Sequence, residues 1–81
     1  MDSQLLKDFE KTNKIILSCE TIDQLNTAKN LYNVFKLKWA KIVDLRRDRI
    51  GMHDLIFTSG YLFSTLHIKH SQLAVNKLTL I

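Results

Sequence analysis

From Thr21 onward, apolar residues return at alternating spacings of three and four: Leu25, Ala28, Tyr32, Phe35, Trp39 and Ile42. That repeat keeps one stripe of a helix turned toward a packing partner. Thr21-Ile22-Asp23-Gln24 has the form of a capping box, in which a threonine hydroxyl and a glutamine amide satisfy the first free backbone N–H groups. Glu20 and Asp23 add negative charge at the positive end of the helix dipole. With Gly51 as the stop signal, the pattern predicts one long helix over about 22–50, about 42 Å at ~1.5 Å per residue. The next two seam positions hold Arg46 and Arg49 instead of apolar residues.

On the N-terminal side, Leu5, Phe9, Thr12 and Ile16 form a second helical stripe, widened by Leu6 and Leu17, with Ser3 as the expected cap. This helix is expected to reach about Ser18. Ile15-Ile16-Leu17 also fits a short strand, but nothing nearby reads as its pairing partner. Beyond Gly51, Asp54 is expected to cap a third helix. Its seam would be Leu55, Ser59, Leu62, Leu66, His70 and Leu73, with Ile56 and Phe63 beside it. Gly60 weakens that helix by about 1 kcal/mol relative to alanine, or marks a close crossing with another helix. The two-residue alternation in 61–69 leaves a strand as the alternative there. The fold predicted for 1–81 is therefore a single all-α domain. In it, two long antiparallel helices, one of them central, are clasped by a shorter first one.

Length sharpens this picture. A chain of 81 residues buries roughly 60% of the surface it exposes when unfolded, which makes for a marginal core. The single cysteine, Cys19, excludes an internal disulfide, and no Cys/His cluster has zinc spacing. A hydrophobic fraction of 46% without proline then points to a homodimer, or to a partner covering spare apolar surface. No apolar run approaches the roughly 18 residues that span a bilayer. The first nine residues carry acids and no signal-peptide core, so a cytoplasmic protein is expected.

The net charge of +4 is unevenly placed. Residues 1–28 hold three lysines against five acids, whereas 29–49 hold seven basic residues against Asp44 and Asp48. Such a localised excess favours an acidic or nucleic-acid partner. The candidate contact residues are Lys36, Lys38, Lys41, Arg46, Arg47 and Arg49, with Trp39 or Tyr32 as possible stacking faces. Set against this, cations near a helix end also complement its dipole, and Trp39 lies on the apolar seam, where a core role is expected. The reading depends on a continuous helix whose arginine tips are available to a binding mate.

Other chemistry is sparser. His67 and His70 stand three apart on a helix, a spacing that can place two imidazoles on one metal. His53, Asp54 or Cys19 would have to supply a further ligand, so no metal and no cofactor is expected, and His70 reads as an interfacial hydrogen-bonding residue. Cys19 reads as a small packed residue. Thr79-Leu80-Ile81 has the form of a PDZ ligand, a common ending that implies no such partner.

Two resemblances add functional expectations. Arg47-Asp48, followed after five residues counted from Arg47 by His53, resembles the arginine-to-histidine motif of HEPN-type ribonucleases. Those proteins are also all-α, and use that pair for RNA cleavage across a dimer. Here Gly51 lies between the two residues. The run Ile16-Leu17-Ser18-Cys19-Glu20-Thr21-Ile22-Asp23-Gln24-Leu25, with Ala28 following, resembles a helix-start motif in short reading frames of phages and mobile elements. The small, lopsidedly charged chain is similar to phage-encoded anti-CRISPR proteins. That resemblance implies a non-catalytic inhibitor acting in the host cytoplasm on an RNA-guided nuclease, a protein or ribonucleoprotein partner. A small nucleic-acid-binding helical dimer is the alternative, and a minimal ribonuclease the third reading.

Overall fold

The structure, a computed structural model, describes residues 2–47 and 49–79, with side chains through Val75. The terminal Leu80-Ile81 of the PDZ-like ending lies outside the described residues. Three helices account for the fold: α1 (Ser3–Leu17), α2 (Ile22–Arg46) and α3 (Arg49–Thr79). They form an elongated bundle with principal extents of 51 × 17 × 16 Å.

Directions follow from the contacts. Asp2 and Asp8 of α1 reach Arg46 and Lys38 of α2, so these helices are antiparallel. The rings of Phe9 and Tyr61 meet edge to face at 5.4 Å, and Lys69 Nζ donates to the Leu17 carbonyl at 2.9 Å. α1 and α3 therefore run the same way, and α3 is antiparallel to α2. Neither segment for which a strand was the alternative forms one; both are helical.

The seams pack much as their spacing predicts. Leu5 and Ile16 of α1, Leu25, Ala28, Tyr32, Phe35 and Trp39 of α2, and Leu55, Leu62 and Leu66 of α3 form one core. Val43, rather than Ile42, is the last fully buried residue of α2. Thr12 and Thr58 enter this core because each hydroxyl returns a hydrogen bond to a carbonyl of its own helix, Asp8 O and Asp54 O. A buried hydroxyl satisfied this way avoids the penalty of an unpaired polar group.

The helix starts show what sequence patterns can and cannot fix. At α2 the capping box is present: Thr21 Oγ1 accepts from Gln24 N–H at 3.1 Å, and Gln24 Oε1 accepts from Glu20 N–H at 2.8 Å. At α1 the cap is Asp2, not Ser3, and its Oδ1 accepts from the N–H groups of Gln4 and Leu5. A carboxylate is the stronger acceptor for those amides, and Ser3 becomes the first helical residue.

The expected course of the long helix is corrected at its far end. α2 stops at Arg46, four residues short of Ile50, and Arg47 closes it in the left-handed region at φ 50°, ψ 41°. Its N–H bonds back to Asp44 O at 3.2 Å. Gly51, the expected terminator, lies inside the first turn of α3, and Asp54 is an interior residue rather than its cap. The cause is the length of the neighbour. α1 begins beside Arg46, so a longer α2 would run past it, whereas reversing there brings Leu55 into the core. α3, at 31 residues, is consequently the longest helix.

Candidate functional site

Six basic residues were candidates on sequence grounds, and the fold sorts them. Lys38 Nζ lies 2.9 Å from Asp8 Oδ2, and Arg46 donates to Asp2 Oδ2 at 3.0 Å. Both are ion pairs within the chain, so two of the six do not present bare charge. Each pair is largely exposed and so holds weakly, releasable by a stronger acidic group. Asp8 is a three-way junction, because the indole N–H of Trp39 also donates to its Oδ2 at 2.9 Å. Hydrogen bonding from Lys38, then from Trp39, holds the Asp8 carboxyl below the ordinary carboxylate value despite partial desolvation. Asp2 is lowered as well, first by the Gln4 N–H and further by Arg46.

Lys36, Lys41, Arg47 and Arg49 are exposed and form no ion pair among the described residues. Lys36 Nζ sits 5.4 Å from the centre of the Tyr32 ring, a cation–π contact. The proposed stacking faces are withdrawn from nucleic acid. Trp39 and Tyr32 are 3% and 7% exposed and belong to the core.

The continuous helix on which the basic-face reading depended is broken at Arg47, so Arg46 and Arg49 do not share a seam, and the Arg46 tip is held by Asp2 of its own chain. Instead Arg46, Arg47 and Arg49 gather at the α2–α3 hairpin end. That end also holds Leu45 at 76% and Ile50 at 74% exposure, the two largest values among the big hydrophobic side chains of the described residues. The sequence signal for this arrangement was the basic run itself. What it hid was that apolar side chains would be held open beside the charges.

The histidines divide. His67 and His70 meet in an open cleft of about 300 Å³ between α2 and α3, lined also by Asn26, Lys29, Tyr32 and Phe63. Phe63 meets the His67 ring edge to face at 4.6 Å. Both histidines are exposed, and His70 is a rim residue rather than part of the inner seam. No group of three His, Cys, Asp or Glu close enough to hold a metal ion occurs among the described residues. His53 projects from the second turn of α3 into solvent, while Arg47 belongs to the turn before it. Cys19 is buried, and its thiol donates to the Ile15 carbonyl at 3.2 Å.

No helix among the described residues is long and apolar enough to cross a membrane. Comparison with protein-family models, with curated proteins and with solved structures finds no match for this chain.

Proposed function

We propose that this is a non-catalytic binding protein that docks through its hairpin end onto an acidic surface of a protein or ribonucleoprotein. One observation carries the reading: at the hairpin end Arg47 and Arg49, exposed and without acidic partners among the described residues, lie in sequence between Leu45 and Ile50, both exposed as well. A bare phosphate backbone would reward the cations alone, whereas a protein-containing surface rewards both charge and grease. Lys36 and Lys41 extend the positive field along α2, and Lys38 and Arg46 join on release from Asp8 and Asp2. The partner implied by the likeness to phage-encoded anti-CRISPR proteins is a host RNA-guided nuclease, inhibited by stoichiometric occupation. Burial of Trp39 and Tyr32 removes the stacking that sequence-tolerant nucleic-acid binding would use, which lowers the direct-binding alternative.

The test titrates the protein against a reconstituted RNA-guided nuclease, with target cleavage as readout, and separately against labelled single-stranded RNA and duplex DNA. Inhibition at one-to-one ratio that tolerates moderate salt and is lost in Arg47→Glu/Arg49→Glu, with helicity unchanged, supports the reading. Binding of naked nucleic acid that weakens steeply with salt transfers it to the nucleic-acid-binding alternative. RNA cleavage that disappears in His53→Ala transfers it to the ribonuclease.

A further inference from the structure

Apart from the Tyr61 ring, which meets Phe9, the outer face of α3 is left uncovered within one copy of the chain. Between Ile50 and Val75 the helix carries only two formally charged residues, Asp54 and Lys69. Lys69 is half-buried and bonded to the Leu17 carbonyl, while Asp54, also half-buried, lies one turn from both Ile50 and Phe57. Ile50, Phe57, Tyr61 and Ile68, each at least half exposed, fall on one stripe bordered by that single carboxylate. Leu6 and Leu17 of α1 continue it across the Phe9–Tyr61 contact. At about 100 Å² each, these side chains expose roughly 600 Å² of apolar surface. That reaches the upper end of what monomers leave open and approaches the ~800 Å² each partner contributes to a stable pair.

In the middle of the stripe stands Gly60. A Cβ built there would meet nothing within 4 Å, so no packing inside the chain requires glycine. Its neighbours define a relief. Phe57 and Tyr61, four apart, make a ridge; Gly60 and Ser64, also four apart, make the low row beside it. Ridges of this kind pack into grooves of a facing helix.

We infer that this face is the interface of a homodimer, in which the α3 helices of two copies cross antiparallel about a two-fold axis between Gly60 and Tyr61. That axis sets Phe57 against Ser64 and Tyr61 against Gly60 of the second copy, and the reverse contact follows by symmetry. A parallel crossing would put ridge on ridge. Charge points the same way: the antiparallel pair keeps the two arginine-bearing hairpin ends apart at opposite ends of the interface, whereas a parallel pair brings them together. The interface is independent of the hairpin end proposed for partner binding and leaves it uncovered in both copies.

Sedimentation equilibrium of the full chain tests this, with an expected mass of twice 9.5 kDa at tens of micromolar. Gly60→Leu fills the notch and Ile68→Asp charges the stripe. Each is expected to weaken the dimer at least 100-fold while circular dichroism of the monomer stays helical. Disulfide trapping reads the orientation: mixed Phe57→Cys and Ser64→Cys proteins are expected to form the mixed disulfide. A monomeric wild type, a dimer that survives both substitutions, or disulfides only between like variants would overturn the inference. A wild type that is monomeric and binds neutral phosphatidylcholine vesicles through this face would equally overturn it.

Discussion

The outward faces of α2 and α3 are both rich in apolar residues, yet they are built differently. On α2, Leu31, Val34, Leu37 and Leu45 are exposed among Lys38, Lys41, Asn30 and Asp44. Water and counter-charges can solvate such a face, and the long lysine stems cover part of its grease. On α3 the exposed apolar side chains have mainly serine, glycine, histidine and Gln72 between them, with Asp54 half-buried at the edge. The lesson is that exposure alone says little about a surface. What marks a face for burial is the scarcity of charge along it, together with a shape the monomer does not use.

The sharpest break of that comparison separates the two faces of α3 itself. Leu62 is fully buried and Ile68 is 60% exposed, one on each side of the same helix. Leu62→Ala is expected to destabilise the fold by about 3 kcal/mol, because it removes transfer energy and leaves a cavity. Ile68→Ala, measured under conditions where the chain is monomeric, should change stability by less than about 0.5 kcal/mol. Urea unfolding of both variants checks this. Comparable losses would mean that the outer stripe is already packed within one copy.

A smaller effect of opposite sign is expected at the turn between the two helices. Arg47 holds a left-handed conformation that costs an L-residue with a side chain about 1 kcal/mol or more relative to glycine. Arg47→Gly should therefore stabilise the fold by about 1 kcal/mol while removing a cation from the proposed docking end. Thermal melts and the nuclease titration would record the two effects separately. A destabilised variant would show that the Arg47 side chain contributes packing that outweighs the backbone strain.

That turn is also where the sequence was hardest to read. Gly51 is the residue type that commonly ends helices, but the chain turns at Arg47, beside the start of the first helix, and no local signal marks the place. Whether a seam goes on past Ile42 depends on how far a neighbour extends, which is a tertiary fact. The capping box at Thr21, the buried seam from Leu25 to Trp39 and the three-helix layout were legible because local propensity and burial agree there. On α3 the inner seam of Leu55, Leu62 and Leu66 was legible too, and only His70 falls outside it. Two apolar stripes run at the same three-and-four spacing, one through Leu55, Leu62, Leu66 and Leu73, the other through Ile50, Phe57, Tyr61 and Ile68. The leucine-rich stripe is the one that turns inward, and the second stays exposed. The basic candidates were legible as a cluster. Their pairing was not, because Asp2 and Asp8 lie 44 and 30 residues from Arg46 and Lys38 in sequence.

The smallest expected effect concerns the charges that align α1 on α2, a contact with no counterpart on the outer face of α3. Asp2 and Asp8 both have depressed carboxyl pKa values, so the folded chain binds their protons less readily than the unfolded chain does. The stability they add is present at neutral pH, above the ordinary carboxylate value. It is lost as the pH falls through that value and on through the lower folded one. Both pairs are exposed, so the change should be modest and should shrink with added salt. Urea midpoints between pH 6 and pH 2.5, at low ionic strength, are expected to fall as Asp8 is protonated and Trp39 keeps only a neutral acceptor. In Asp8→Asn the midpoint at pH 6 should start lower and the acid-dependent fall should be shallower. An equally steep fall in that variant would place the acid sensitivity elsewhere and leave α1 held by Leu5, Phe9 and Ile16 alone, through the same apolar packing that secures the inner seams of α2 and α3.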